Sequence, residues 1–214
     1  MGFALTSKDY AAYLRLAYDK IHADGDYITA LDAATGDGDH WANLDMGFEK
    51  LAEAAPRLEE MPLADCFKEI GRIMMTVIGG SSGVLYGSAY LAAAKTLQGK
   101  DRITGEDLCA VLAAMMEAIM SRGKAEPGHK TMLDTLHPAV ACYRDCLRKG
   151  LPEAETLALV RAAAIEGAES TLGMAASRGR AYYQKNKGVG HLDPGAVTMS
   201  YQLQTLIDYI AATL

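Results

Sequence analysis

The amino-acid sequence predicts an all-α fold: a single domain, residues 1–214, of long helices packed against antiparallel neighbours. Apolar residues recur at helical spacing along almost the whole chain, and no segment reads convincingly as a strand. The connections between periodic segments are mostly short, which favours antiparallel packing. Half of the residues are apolar, enough for a substantial core without disulfides.

Helices are expected near 6–24, 40–55, 62–78, 82–98, 104–121, 130–149, 152–175 and 194–213, eight in all. The third opens at Pro62 and carries an apolar stripe of Phe67, Ile70, Met74, Val77 and Ile78. The fourth includes Leu91-Ala92-Ala93-Ala94, a small-residue face that lets helix axes approach closely. On the fifth, Leu108, Val111, Leu112, Met115, Met116 and Ile119 form one stripe, and Thr104 with Asp107 makes a capping box. The seventh starts at Pro152 and repeats the alanine face at Arg161-Ala162-Ala163-Ala164, and the eighth starts at Pro194. Proline suits such starts because its missing N–H costs little there. Two connections break the pattern, from Gly25 to about Asp39 and from about Ser177 to Pro194. Long loops in a compact helical domain are usually functional.

Charged residues make up 22% of the chain and the formal net charge is −6, a balance that argues against nucleic acid as a partner. No stretch has the form of a signal peptide, and no run approaches 18 apolar residues, so no membrane association and a cytoplasmic location are expected. Cys66, Cys109, Cys142 and Cys146 fall in apolar helical stretches and read as buried thiols. Cys142 and Cys146 stand one turn apart, but no second pair completes a metal site.

The first long connection holds Leu31-Asp32-Ala33-Ala34-Thr35-Gly36-Asp37-Gly38-Asp39-His40. Carboxylates so close repel one another unless cations or donors compensate. Gly36 and Gly38 permit tight turns, so Asp37 and Asp39 can converge with Asp32. Hard oxygen ligands suit Mg²⁺, which keeps waters and takes further ligands from phosphate. A polar turn capping the next helix is the simpler alternative. A calcium loop fails, since counting from Asp32 puts Asn43 where a bidentate Glu is required.

Ile78-Gly79-Gly80-Ser81-Ser82-Gly83 precedes a long apolar helix, and N–H groups and hydroxyls at a helix start can seat phosphate oxygens. It is not a P-loop, because no Gly-Lys-Ser/Thr follows and no strand precedes it. Further along, Arg122, Lys124 and Lys130 lie in one connection and Arg178, Arg180, Lys185 and Lys187 in another. In an acidic chain these look like parts of one site for an anionic ligand.

The runs Gly36-Asp37-Gly38-Asp39-His40, Gly79-Gly80-Ser81-Ser82-Gly83, Ser121-Arg122-Gly123-Lys124-Ala125-Glu126-Pro127-Gly128, Lys130-Thr131-Met132 and Gly190-His191-Leu192-Asp193-Pro194-Gly195-Ala196 occur in this order. Their composition and spacing resemble the L subunit of bacterial dihydroxyacetone kinase over nearly the whole chain. The resemblance implies a barrel of eight antiparallel helices with nucleotide bound at one end. It implies that Asp32, Asp37 and Asp39 ligate two Mg²⁺ ions that hold the phosphates of ADP or ATP. By the same matching, His40, Trp41, Ala42, Asn43, Ser81, Ser82, Gly123, Met132, Arg180, Asp193, Pro194 and Gly195 are the nucleotide contacts. The sequence departs from the family pattern at three positions. Trp41 replaces a glycine, and its indole could stack near the nucleotide or obstruct it. His129 replaces an aspartate and Ser81 an alanine.

The activity implied is phosphoryl transfer to dihydroxyacetone held on a separate K subunit, chemistry that asks mainly for positioning and charge neutralisation. An L chain separate from K points to the phosphoenolpyruvate-dependent type, in which ADP stays bound and an M subunit of the phosphotransferase system recharges it. No catalytic residue stands out in this chain, and a homodimer is compatible with it. An ATP-dependent kinase of dihydroxyacetone or erythrulose and a non-catalytic nucleotide-sensing module are the alternatives.

Overall fold

The computed structural model describes residues 2–213. Among them are nine α-helices: α1 Ser7–Ala23, α2 Gly25–Thr35, α3 His40–Leu58, α4 Leu63–Val77, α5 Gly80–Thr96, α6 Gly105–Gly123, α7 Leu133–Lys149, α8 Glu153–Ser170 and α9 Pro194–Thr213. Two short 3-10 turns, Thr171–Gly173 and Arg180–Tyr183, lie between α8 and α9. The one β-type pairing among the described residues is an isolated bridge between Leu5 and Ile103.

Eight of the helices close a ring. α1 packs on α3, each helix from α3 to α9 packs on the next, and α9 returns to α1. These eight match, one for one, the eight segments read from the sequence. The starts of α3, α5, α7 and α9 and the end of α6 line one cavity, so alternate helices of the ring begin at the same end. Thr104 and Asp107 form the expected capping box on α6, and Thr6 with Asp9 forms a second on α1.

The ninth helix corrects the reading of residues 25–39 as one long loop. Residues 25–35 are helical, and only Gly36 to Asp39 remain as a connection. α2 was hard to read because it is short and starts on glycine without a side-chain cap. It buries Ile28, Asp32 and Thr35 along one face, and two of those three are polar. The other long connection runs from Thr171 to Asp193, because α8 ends at Ser170.

Tyr10, Tyr13, Phe67 and Tyr90 pack together in the barrel, and the Tyr10 and Tyr90 hydroxyls lie 3.2 Å apart, each giving the other a buried partner. Burying side chains of this size contributes on the order of 1.5–3 kcal/mol each. Small residues set the approach of α4 and α5. A Cβ on Gly87 would lie 2.8 Å from Cβ of Met75, and one on Gly71 would lie 3.0 Å from the Gly87 carbonyl oxygen. All four cysteines are free thiols. Cys142 and Cys146 stand 4.0 Å apart at sulfur, and burial raises the Cys142 pKa to about 11.

Candidate metal and phosphate site

A cavity of about 580 Å³ opens at the end of the barrel where α3, α5, α7 and α9 begin. A helix start presents unpaired N–H groups and the positive end of the helix dipole. Four such starts around one space favour an anion there before any charged side chain is counted.

Asp32 is on the last turn of α2 and is buried, while Asp37 and Asp39 are exposed on the four-residue connection to α3. One ligand oxygen from each lies within 4.8 Å of the others. Gly36 makes this possible, since a Cβ there would collide with the Asp32 carboxylate. Gly38 adopts φ +79°, a left-handed conformation that favours glycine. The His40 N–H donates to Oδ2 of Asp32 at 3.0 Å, leaving the other oxygen free to ligate. On the far side, Arg180 approaches Oδ2 of Asp37 at 2.7 Å. The convergent carboxylates, all hard oxygen donors facing a cavity ringed by helix starts, fit Mg²⁺.

The His40 ring is 3.0 Å from the Thr198 hydroxyl, and burial lowers its pKa, which favours the neutral imidazole. Across the cavity, Gly79 and Gly80 lead into α5 with Ser81 exposed and Ser82 half-buried. Asn43 comes so close that a Cβ on Gly79 would sit 2.6 Å from its Oδ1. Its amide also donates to the Asp39 carbonyl at 3.0 Å, tying the phosphate seat to the acidic loop. Leu85, Ile119, Met132 and Leu133 form an apolar wall, with Gly123 beside it.

The third side is built from residues 124–132 and 171–193. The buried Asp134 carboxylate accepts from the N–H groups of Gly128 and Thr131 and so shapes the first of these loops. Asp193 caps α9 by accepting from the Ala196 N–H at 2.7 Å, and burial pushes its pKa up to about 7.

The cavity brings together Asp32, Asp37, Asp39, His40, Asn43, Ser81, Ser82, Gly123, Met132, Arg180, Asp193, Pro194 and Gly195. It does not include Trp41 or Ala42. On α3, positions 40 and 43 share the cavity face, and the two residues between them point elsewhere. Ala42 is exposed. The Trp41 indole N–H donates to the Ile21 carbonyl at 3.1 Å, and its ring packs so tightly on Gly25 that a Cβ there would lie 2.7 Å from it. Sequence reasoning counted Lys130 among the basic residues of the anionic site but named neither it nor Thr131 as a nucleotide contact, although both line the cavity. The available signal was Thr131 with Asp134 three residues later, the spacing of a capping turn.

Residues 34–208 match the DAK2 domain. Over 203 residues the chain is 32% identical to a protein of Escherichia coli strain K12, PEP-dependent dihydroxyacetone kinase, ADP-binding subunit DhaL. The match covers 95% of this chain and 97% of that one. A Listeria innocua protein, PEP-dependent dihydroxyacetone kinase 2, ADP-binding subunit DhaL, is 35% identical over 189 residues, 87% of each chain. The chain belongs to the DhaL family. The fold agrees with that membership. The crystal structure of the dihydroxyacetone kinase from C. freundii in complex with AMP-PNP and Mg²⁺ is similar at a TM-score of 0.69 and 30% identity. That match covers 92% of this DhaL chain and 33% of the C. freundii chain, so this chain spans about a third of that kinase.

Proposed function

We propose that this chain is the ADP-binding subunit of a PEP-dependent dihydroxyacetone kinase, a phosphotransferase active only with partner subunits. The observation that carries the reading is the meeting of three carboxylates with four helix starts in one cavity. Acidic groups and an anion-favouring surface are compatible only if cations lie between carboxylate and phosphate. Asp32, Asp37 and Asp39 would hold two Mg²⁺ ions. Ser81, Ser82 and the N–H groups at the start of α5 would receive phosphate oxygens, and the wall of Leu85, Ile119 and Met132 would take the base. When bound, Mg²⁺ and ADP supply a phosphate acceptor recharged by the M subunit and a donor to dihydroxyacetone on the K subunit.

This chain's own residues bind, orient and screen. His40 fixes one Asp32 oxygen, leaving the other for metal, and Asn43 keeps the acidic loop against the phosphate seat. Arg178 and Arg180 stand at the cavity rim, where they can offset phosphate charge. The test mixes this chain with dihydroxyacetone-charged K subunit and radiolabelled ATP and counts product per chain. About one phosphate per chain is expected until phosphoenolpyruvate and the M subunit are added. Sustained turnover on ATP alone would instead make it part of an ATP-dependent ketose kinase. Bound nucleotide with no transfer to any K subunit would make it a sensing module.

A further inference from the structure

The segment from Thr171 to Asp193, which forms one side of the cavity, is a strap with two feet. Its feet meet where the Gly190 N–H donates to the Leu172 carbonyl at 2.9 Å and the Asp193 N–H donates to the Thr171 hydroxyl at 3.0 Å. Its body is closed by the Ala176 N–H donating to the Lys187 carbonyl at 2.9 Å, and Gln184 reaches the end of α2 through the Ala34 carbonyl at 3.0 Å. Arg178 and Arg180 are carried on this strap to the cavity rim.

Lys130 lies beneath the feet and is only 2% exposed. Its ammonium donates to the Thr171 carbonyl in one foot and to the His191 carbonyl in the other. The backbone of Lys130 sits at φ +60°, a left-handed conformation that is unfavourable for a non-glycine residue. Burying an ammonium is itself unfavourable, and burial lowers its pKa against the opposing pull of Asp193 and Asp134. A methionine of similar length would fill this space without the charge. Two costs at one residue are explained if the ammonium's bonds hold something that packing alone would not.

We propose that Lys130 is a positioning residue whose ammonium staples the two feet of the 171–193 strap, holding Arg178 and Arg180 over the cavity and slowing escape of the bound nucleotide. Strap opening and nucleotide release are then one event, gated from below rather than at the rim. The consequence for the nucleotide rests on the ADP-binding reading above; the staple itself does not.

The experiment compares wild type, Lys130→Met and a control, Tyr10→Phe, which deletes a buried hydroxyl deep in the barrel. Hydrogen exchange of nucleotide-free protein is followed across residues 171–193, including the paired amides of Ala176 and Gly190. Dissociation of radiolabelled ADP with Mg²⁺ is measured by chase with unlabelled ADP. Lys130→Met should accelerate both by about tenfold, equivalent to ~1.4 kcal/mol. Tyr10→Phe should lower the melting temperature and leave both rates at the wild-type value. If Lys130→Met melts lower but exchanges and releases ADP at wild-type rates, the staple is refuted. Should Lys130→Met not fold, Gly188→Ala tests the same contact from the strap side. A Cβ there would meet Cε of Lys130 and Cβ of Ala181, each at 3.1 Å, in a backbone at φ +72°. Faster exchange and release support the proposal, and unchanged rates overturn it. A wild-type protein with no affinity for ADP would refute the proposed function, while exchange in the nucleotide-free protein would still decide the role of Lys130.

Discussion

Arg180 lies 2.7 Å from Asp37, so a cation of the strap already engages the acidic cluster proposed to hold Mg²⁺. The guanidinium and the metal compete for the same carboxylate. Because the pair is well exposed, its contribution is small, in the range of ~0.2–1 kcal/mol. Arg180→Ala should therefore tighten Mg²⁺ binding to the nucleotide-free protein by no more than about fivefold at low salt, and the gain should shrink as salt rises. ADP binding in the presence of Mg²⁺ should weaken, since a phosphate-facing donor is lost. Calorimetric titrations in which Mg²⁺ binding weakened instead would place Arg180 outside any competition for Asp37.

Removal of metal should release the nucleotide and destabilise the fold by mass action. A ligand present at a thousandfold its dissociation constant stabilises the native state by ~4 kcal/mol. Protein stripped with EDTA and desalted should melt well below the loaded form and recover on adding ADP and Mg²⁺ together. Asp39→Ala should melt at the stripped temperature whether or not ligand is present, with helical circular dichroism unchanged. Asp39 is exposed on a loop, so its removal opens no core cavity. Full rescue of Asp39→Ala by ADP and Mg²⁺ would disprove its place in the metal set.

The ring was legible because apolar residues recur at helical spacing along its long helices, most plainly from Leu108 to Ile119 on α6. α2 was not, because its inward face includes Asp32 and Thr35, polar groups committed to the cavity rather than to the core. The acidic cluster and glycine-serine start were legible as local runs whose chemistry is written in adjacent residues. Lys130 was not. A lysine reads as solvent-exposed until the fold puts two carbonyls twenty residues apart against its ammonium. Trp41 shows the limit of matching by motif. It stands directly after the acidic run, yet one step of 100° around α3 carries it from the cavity to the end of α1.

That placement has its own consequence. Trp41→Phe should leave ADP affinity within about twofold of wild type and cost ~1 kcal/mol for the lost bond to the Ile21 carbonyl. Gly25→Ala should be the more damaging change, because its methyl would enter the indole ring. Thermal melts and ADP titrations of the two variants separate these effects. A large loss of ADP affinity in Trp41→Phe, with the melt little changed, would bring the indole back into the site.

Asp193 gives the stability of the ligand-free protein a pH dependence of unusual sign for a carboxylate. Burial raises its pKa from 3.8 to about 7, with the nearby charges of Asp134 and Asp32 adding to the shift and Lys130 opposing it. Between roughly pH 4 and pH 7 the native state therefore holds a proton that the unfolded chain has released. Stability from this group is complete below the unfolded pKa and falls as pH rises through the folded one. His40 acts in the opposite sense, because its lowered pKa leaves the native ring neutral while the unfolded ring protonates as pH falls. The two contributions overlap, so wild type alone does not separate them. Asp193→Asn does, since an amide oxygen can still accept from the Ala196 N–H and carries no charge at any pH. The stability difference, variant minus wild type, should rise from pH 5 to pH 8 in nucleotide-free protein, measured by urea unfolding at each pH. A difference that stays flat across that range would mean Asp193 ionises at its ordinary pKa in the folded protein.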